Sequence, residues 1–416
     1  MSNKFKIKLT TLTPVSIGDG GRRSPLTDYI FGGNNIQYIN QEAFSKQLLS
    51  KGVEVIDRYM NEVAEVIGSN RNDFLRGFLE KETIEDTSTF ITQKPVACYG
   101  IKNACDILTI VKNYGAPYVP GSSLKGAIKT AILYHWMMTN GHSEVEKVKS
   151  NIEKGRYFLK RIIEDDIENK VFGNIRKRGR MDFSLFRITD TTTINQDGFC
   201  IYNTHRLHLD SVTDSEPKGQ MAAAFQGINL VSDTKDDQGQ NEIIEVAKEA
   251  IKPETVLFFD IDMIKNNVEH ISFANNYLKG MLYNNPLRNL FSVINEFSLD
   301  HITFELATIQ SIKEKSIRQI LKPYEAFLNS KREFILKTIQ GGNEKAIMVV
   351  GSGKTYFLNS LGLALFNHWK SNDLRAWKKF RSVFSIGKFN TKHFPITRAL
   401  TSQKNIPMGW VLLEQS

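Results

Sequence analysis

Cysteine is scarce in this sequence. Cys98, Cys105 and Cys200 are an odd set without C-x-x-C spacing. That pattern suggests neither a disulfide framework nor a zinc site, and it suits a reducing cytoplasm. No stretch approaches the ~18–20 consecutive apolar residues that a membrane span needs. The opening segment alternates Lys4, Lys6 and Lys8 with Phe5, Ile7 and Leu9. No apolar segment or cleavage pattern follows it, so a first β-strand is expected and not a signal peptide. Regular βα alternation is also missing, which disfavours a doubly wound sheet.

What is abundant is positive charge. Lys plus Arg number 54 against 45 for Asp plus Glu, a net charge of +9 over 416 residues. A surplus of this kind is compatible with a polyanionic partner, because cations bound to phosphates release counterions. With 41% hydrophobic and 24% charged residues the chain can build an ordinary globular core. Its length implies two domains or one elaborated domain.

Along the chain, the strand over 5–12 stops at Thr13-Pro14, and the Gly- and Arg-rich segment 17–25 is expected as a loop. A hairpin over 29–39 follows. Helical periodicity from 41 to about 85 suggests an insertion. At Val119-Pro-Gly-Ser-Ser-Leu-Lys-Gly126 a turn feeds a helix, with Ser122 or Ser123 placed to cap it and Leu124, Ile128, Ala131 and Ile132 on its buried face. A charged helix over 147–170 runs into the densest basic cluster. Strands are expected at 183–189, 198–206 and 256–263, with a polar loop over 211–241. Helices are expected at 273–282, 287–297 and 312–339, the last broken at Pro323. Ser16-Ile-Gly18 with Pro25-Leu-Thr27 is echoed by 385–387 with 395–397, which would imply two related units.

Three places have the chemistry of phosphate contact. Gly18, Gly20 and Gly21 lack side chains, so backbone N–H groups there can approach an anion, with Arg22 and Arg23 adding charge. The plain alternative is a turn with solvated arginines. Ser122, Ser123, Lys125 and Lys129 lie in the first turns of a helix, a natural anion site, although simple capping explains the serines equally well. Arg176, Lys177, Arg178 and Arg180 form a patch that could track phosphates or be a solvated loop. No aromatic signature for stacking bases is visible on any strand.

Together, Leu12-Thr-Pro-Val-Ser-Ile-Gly18 with Ser24-Pro-Leu-Thr-Asp-Tyr29, the Val119–Lys129 segment, and Pro395-Ile-Thr-Arg398 with Pro407-Met-Gly-Trp410 resemble the RAMP superfamily of CRISPR proteins. Their order and spacing resemble the subunits that cap the crRNA 3′-end side of Csm (type III-A) effector complexes. The resemblance implies an α+β fold of two ferredoxin-like (RRM-like) modules, a helical insertion at about 41–90, and a division into 1–200 and 201–416. It implies crRNA and a neighbouring RAMP backbone subunit as partners, with target RNA and a host nuclease further afield, and no membrane. It implies crRNA maturation supported without catalysis, and no cofactor or metal. The segment Gly351, Gly353, Lys354, Thr355 resembles the late glycine-rich loop of RAMP proteins, where backbone contacts RNA.

Two other chemistries remain open at this point. Val349-Val-Gly-Ser-Gly-Lys-Thr355 looks like the phosphate loop of an NTPase, but Met348 stands where the first glycine belongs. A Cas6-like endoribonuclease would draw on His135, His142 or His393, with Asp28 a carboxylate lacking a visible partner. Asp260 and Asp262, sharing a strand face, could hold a metal or simply face a cation. His205 and His208, three apart in a strand, fall on opposite faces.

Overall fold

The computed structural model describes residues 2–67, 74–84, 86–92, 94–154, 167–172, 186–209, 245–264, 276–383, 393, 395 and 397–416. Strand β1 (Ser2–Thr11) realises the opening alternation. Ile7 and Leu9 are fully buried, while Lys4 and Lys8 form ion pairs with Asp260 and Glu414. The second sheet begins with β2 (Gly18–Arg23), β3 (Tyr29–Phe31), β4 (Asn35–Tyr38), β5 (Val96–Tyr99) and β6 (Ile107–Ile110). A two-residue hairpin, β7 (Lys112–Asn113) with β8 (Ala116–Pro117), leads into helix α4 (Gly121–Asn140). Then come β9 (Phe186–Ile188), β10 (Phe199–His208), β11 (Glu245–Ile251), β12 (Val256–Ile264), β13 (Lys345–Val349), β14 (Thr397–Thr401) and β15 (Trp410–Gln415).

These strands make two sheets. One has the order β13-β15-β1-β12-β9, and the other runs β2-β6-β11-β10-β5-β4-β3 with β14 beside β10. In the first, β1 lies antiparallel between β12 and β15. Both sheets therefore draw strands from either side of residue 200, and the expected division there does not coincide with a break in either. The fold is α+β.

The insertion consists of α1 (Gln41–Lys51), α2 (Val53–Val66) and α3 (Phe74–Lys81). Asn40 caps the first through its side-chain oxygen, which accepts from the Ala43 N–H. Phe44, Leu48, Tyr59, Phe78 and Phe90 close a small core of their own, separate from the main one. In α4, Leu124, Ile128, Ala131 and Ile132 are buried as the periodicity predicts. Helix α5 (His142–Glu153) follows.

The C-terminal half adds α6 (Asn276–Leu282), α7 (Pro286–Ser311), α8 (Lys315–Gln340), α9 (Gly362–Asn372) and α10 (Leu374–Val383). Helix α7 packs on α4, α8 and β13. The break expected at Pro323 does not occur, since α8 runs through it. Proline removes one hydrogen bond there, but buried Leu321, Tyr324 and Leu328 hold the turns on either side against the core.

Candidate nucleic-acid interface

The segment expected as a Gly/Arg loop is instead an edge strand. All six residues of β2 are exposed, and its partner is β6. Between Gly18, opposite Ile110, and Arg22, opposite Leu108, the register shifts in a bulge. Gly20 sits there at φ +87° with open space around it, a conformation glycine adopts without strain. Of the three glycine N–H groups offered to phosphate, that of Gly21 is already used: it donates to Asp19 Oδ1 at 2.8 Å, and the Thr109 hydroxyl donates to the same oxygen. The positive charge beside the bulge is real. Arg22 is 63% exposed, with Asp106 at 3.9 Å, and the Arg23 guanidinium lies over the Tyr38 ring at 5.8 Å.

At the start of α4 the expected capping is corrected. Pro120 occupies the cap position, and neither Ser122 nor Ser123 caps with its side chain. The Gly121 N–H donates to Asp190 Oδ1 at 2.7 Å. A carboxylate of the chain itself thus fills part of the anion site that the helix offers. Gly121 is required by packing, because a Cβ there would lie 2.5 Å from the Ile188 carbonyl oxygen. Lys129 is engaged with Glu168 at 2.5 Å. Burial and the neighbouring charge of Lys129 depress the Lys125 pKa. Ser122 is exposed and Ser123 half-buried, so both hydroxyls border the surface of this turn.

The late glycine-rich segment is a junction of three motifs. The Ser352 N–H donates to the Ser16 carbonyl (2.9 Å), the Val350 N–H to Gly409 (2.8 Å), and the Gly409 N–H to Pro14 (2.8 Å). Gly351 has φ +70°, and a Cβ on Gly353 would fall 1.8 Å from the Met408 carbonyl oxygen. These glycines let the segments 14–17, 350–353 and 407–410 touch backbone to backbone, a role the sequence did not disclose. Thr355 Oγ1 lies 3.2 Å from His301 Nε2. Lys354 is half-buried, which lowers its pKa, and it has no acidic partner among the described residues. It is the cation this junction presents. Two short 3-10 turns, and not a helix N-terminus, follow β13. The arrangement of a nucleotide-binding phosphate loop is not formed.

Five of the other rival residues, Asp260, His135, His142, His393 and Asp28, are engaged structurally. Asp260 pairs with Lys4 at 2.9 Å. His135 sits between the Tyr277 hydroxyl (2.8 Å) and Glu296 (3.2 Å), His142 stacks edge-on with His368, and His393 bonds Ser311. Asp28 accepts from the Ser24 N–H within its own turn. Among the described residues no group of three or more His, Cys, Asp or Glu could hold a metal ion. The cluster of Arg176, Lys177, Arg178 and Arg180 lies outside the described residues, as do the segments 211–241 and 385–387.

A family description, the RAMP superfamily, matches residues 8–356. The chain belongs to the RAMP superfamily. That match takes in the end of β1, the Pro-Gly-Ser-Ser helix start and the 350–353 arm of the glycine junction, while the C-terminal motif lies beyond it. Among curated RAMP relatives, the CRISPR system Cms protein Csm5 of Streptococcus thermophilus is 26% identical over 137 residues, 31% of this chain and 38% of that protein. The matched region therefore spans less than half of that relative. Two solved structures share the fold over nearly the full length. One is a chain of the Csm–crRNA–target RNA ternary complex of a type III-A CRISPR–Cas system (TM-score 0.68, 20% identity, 100% of both chains). The other is T. onnurineus Csm5 (TM-score 0.61, 18% identity, 97% of this chain and 99% of that one).

Proposed function

We propose that this RAMP protein is a crRNA-binding structural subunit of a type III-A Csm complex, seated on the crRNA 3′-end side. It would support crRNA maturation in antiviral defence without cutting RNA, by covering the RNA or by recruiting a host nuclease. The observation that carries the reading is the full-length likeness to a chain of a Csm–crRNA–target RNA complex. The surplus of positive charge, the exposed arginines of β2 and Lys354, which has no acidic partner among the described residues, support it. The order β15-β1-β12-β9, all antiparallel, with α4 and α7 as crossovers, is the pattern of one ferredoxin-like module. We take the second sheet as the second module. The partners in this reading are crRNA, a neighbouring RAMP backbone subunit and target RNA.

Co-expression with the remaining Csm subunits and a CRISPR array tests it. The chain is expected to co-purify in the complex, and its deletion to leave crRNAs with altered 3′ ends. A complex that assembles and trims its crRNA normally without this chain would overturn the reading. The Cas6-like alternative predicts cleavage of RNA by the isolated chain, lost on His135→Ala.

A further inference from the structure

The second sheet carries a row of side chains that crosses five strands. Directly opposed residues run Arg22 on β2, Leu108 on β6, Lys248 on β11, Tyr202 on β10 and Tyr99 on β5. Opposed residues share a face of the pleat. The residues beside them in each strand, Ile107, Ala247, Ile201 and Cys98, are buried in the main core, so the row lies on the face turned away from it. Arg206, four residues along β10 from Tyr202, shares that face and is exposed. The Tyr99 and Tyr202 rings are stacked, 4.7 Å between centroids at 21°.

Of the three cations on this face only Arg22 has a carboxylate nearby among the described residues, Asp106 at 3.9 Å. Neither Lys248 nor Arg206 has an acidic partner among the described residues. Glu249, next to Lys248 in sequence, points to the opposite face, where it is buried and bound by Lys112 at 2.7 Å. Burial, with repulsion from Arg206, pushes the Lys248 pKa down to about 8. A desolvated cation beside a second cation is costly unless an anion meets it.

We propose that this row is a platform for single-stranded RNA, in which the Tyr99–Tyr202 stack takes bases while Lys248, Arg206 and Arg22 hold the adjoining phosphates. The proposal rests on the RNA-binding reading above and says where on the surface the RNA lies. Aromatic rings beside unpaired cations fit a nucleic acid better than a protein neighbour, since base faces stack on any flat ring and phosphates supply the missing charge. The row spans roughly 19 Å, taking strands about 4.8 Å apart, enough for a short extended segment.

The test uses the full purified chain, a fluorescein-labelled uridine-rich single-stranded RNA, and anisotropy titrations across a salt series. Y99A/Y202A is expected to weaken binding about tenfold or more, and Y99F/Y202F to bind like the parent. Lys248→Gln is expected to lower the slope of log K against log salt by about 0.7. Parental affinity and slope in Lys248→Gln, with parental affinity in a folded Y99A/Y202A, would overturn the platform. Should Y99A/Y202A fail to fold, Lys248→Gln decides alone. Variants that bind RNA normally but no longer enter the Csm complex would assign the face to a protein neighbour and also overturn it. If the parent chain binds no RNA, the RNA-binding reading itself has failed, a result distinct from any of these.

Discussion

Arg398 and Glu305, on β14 and α7, form an ion pair inside the protein, Nε to Oε2 at 2.6 Å, with both side chains cut off from solvent. The Tyr324 hydroxyl donates to the same carboxylate oxygen at 3.2 Å, and Arg398 Nη1 donates to the Pro395 and Thr397 carbonyls. The arginine of the Pro-Ile-Thr-Arg motif therefore ties the second sheet to the helical layer. Removing one charge leaves the other buried and unpaired. Glu305→Gln is expected to destabilise the protein by about 3–5 kcal/mol in chemical denaturation, whereas E305L/R398M should lose much less.

His301 adjoins this pair, and the same burial holds it neutral. Removal from water, opposed by Glu305 and reinforced by Arg398, pushes its pKa down to about 4. The unfolded chain would take a proton near the ordinary value of about 6.5. The unfolded state thus binds more protons between those values, so this group's contribution to stability is lost as pH falls from about 6.5 toward 4. Denaturation midpoints measured across that range should decline, and the decline should shrink in a folded His301→Gln variant.

The glycines of the RAMP motifs do opposite things. Gly353→Ala drives a Cβ into the Met408 carbonyl, and insoluble or strongly destabilised protein is expected. Gly126, inside α4, is exposed with nothing within 4 Å of the added carbon. Gly126→Ala should raise stability by about 1 kcal/mol in thermal or chemical melts.

RNA affinity should fall as pH rises past about 8, where Lys248 gives up its proton. The groups facing it are Arg206, Tyr202 and Leu108; burial holds the Tyr202 hydroxyl above its ordinary value and lowers Arg206 from a value far above this range, and an arginine stays charged there. Lys248→Arg keeps its charge and should flatten the profile measured between about pH 7 and 9.

Charge-removing substitution of Arg176, Lys177, Arg178 and Arg180 is expected to lower RNA affinity and shallow the salt slope. If those side chains face solvent, the melting temperature should barely move, since exposed charges contribute little to the folded state. Leu124→Ala, removing a buried aliphatic, should do the reverse and cost about 2–5 kcal/mol. Unchanged RNA binding in the cluster variant would make those arginines a solvated surface only.

Much of this was legible in the sequence because it is local. The alternation of β1 and the buried face of α4 depend on residues two to four apart, and composition and pattern display both directly. The RAMP motifs were visible too, but not why their glycines are there. Gly351, Gly353 and Gly409 answer to contacts between segments far apart in the chain, and no local pattern encodes such an approach. Asp190 meets the start of α4 from 69 positions away, so serines in the first turn looked like its caps. The Tyr99–Lys248–Arg22 row is hidden most fully. Each strand supplies a single residue to it, and only the register aligns them.

The placement of β1 also has a consequence for how the protein comes into being. The strand is made long before both of its partners: one edge waits for residues 256–264 and the other for 410–415. At about 5–20 residues per second, synthesis leaves those edges open for many seconds. During that time the nascent chain presents a Lys-studded ribbon with unpaired N–H and C=O groups, a template for foreign strands. The alternating lysines then act as guards before they act as ion-pair partners, and β1 is enclosed only once β15 has been made.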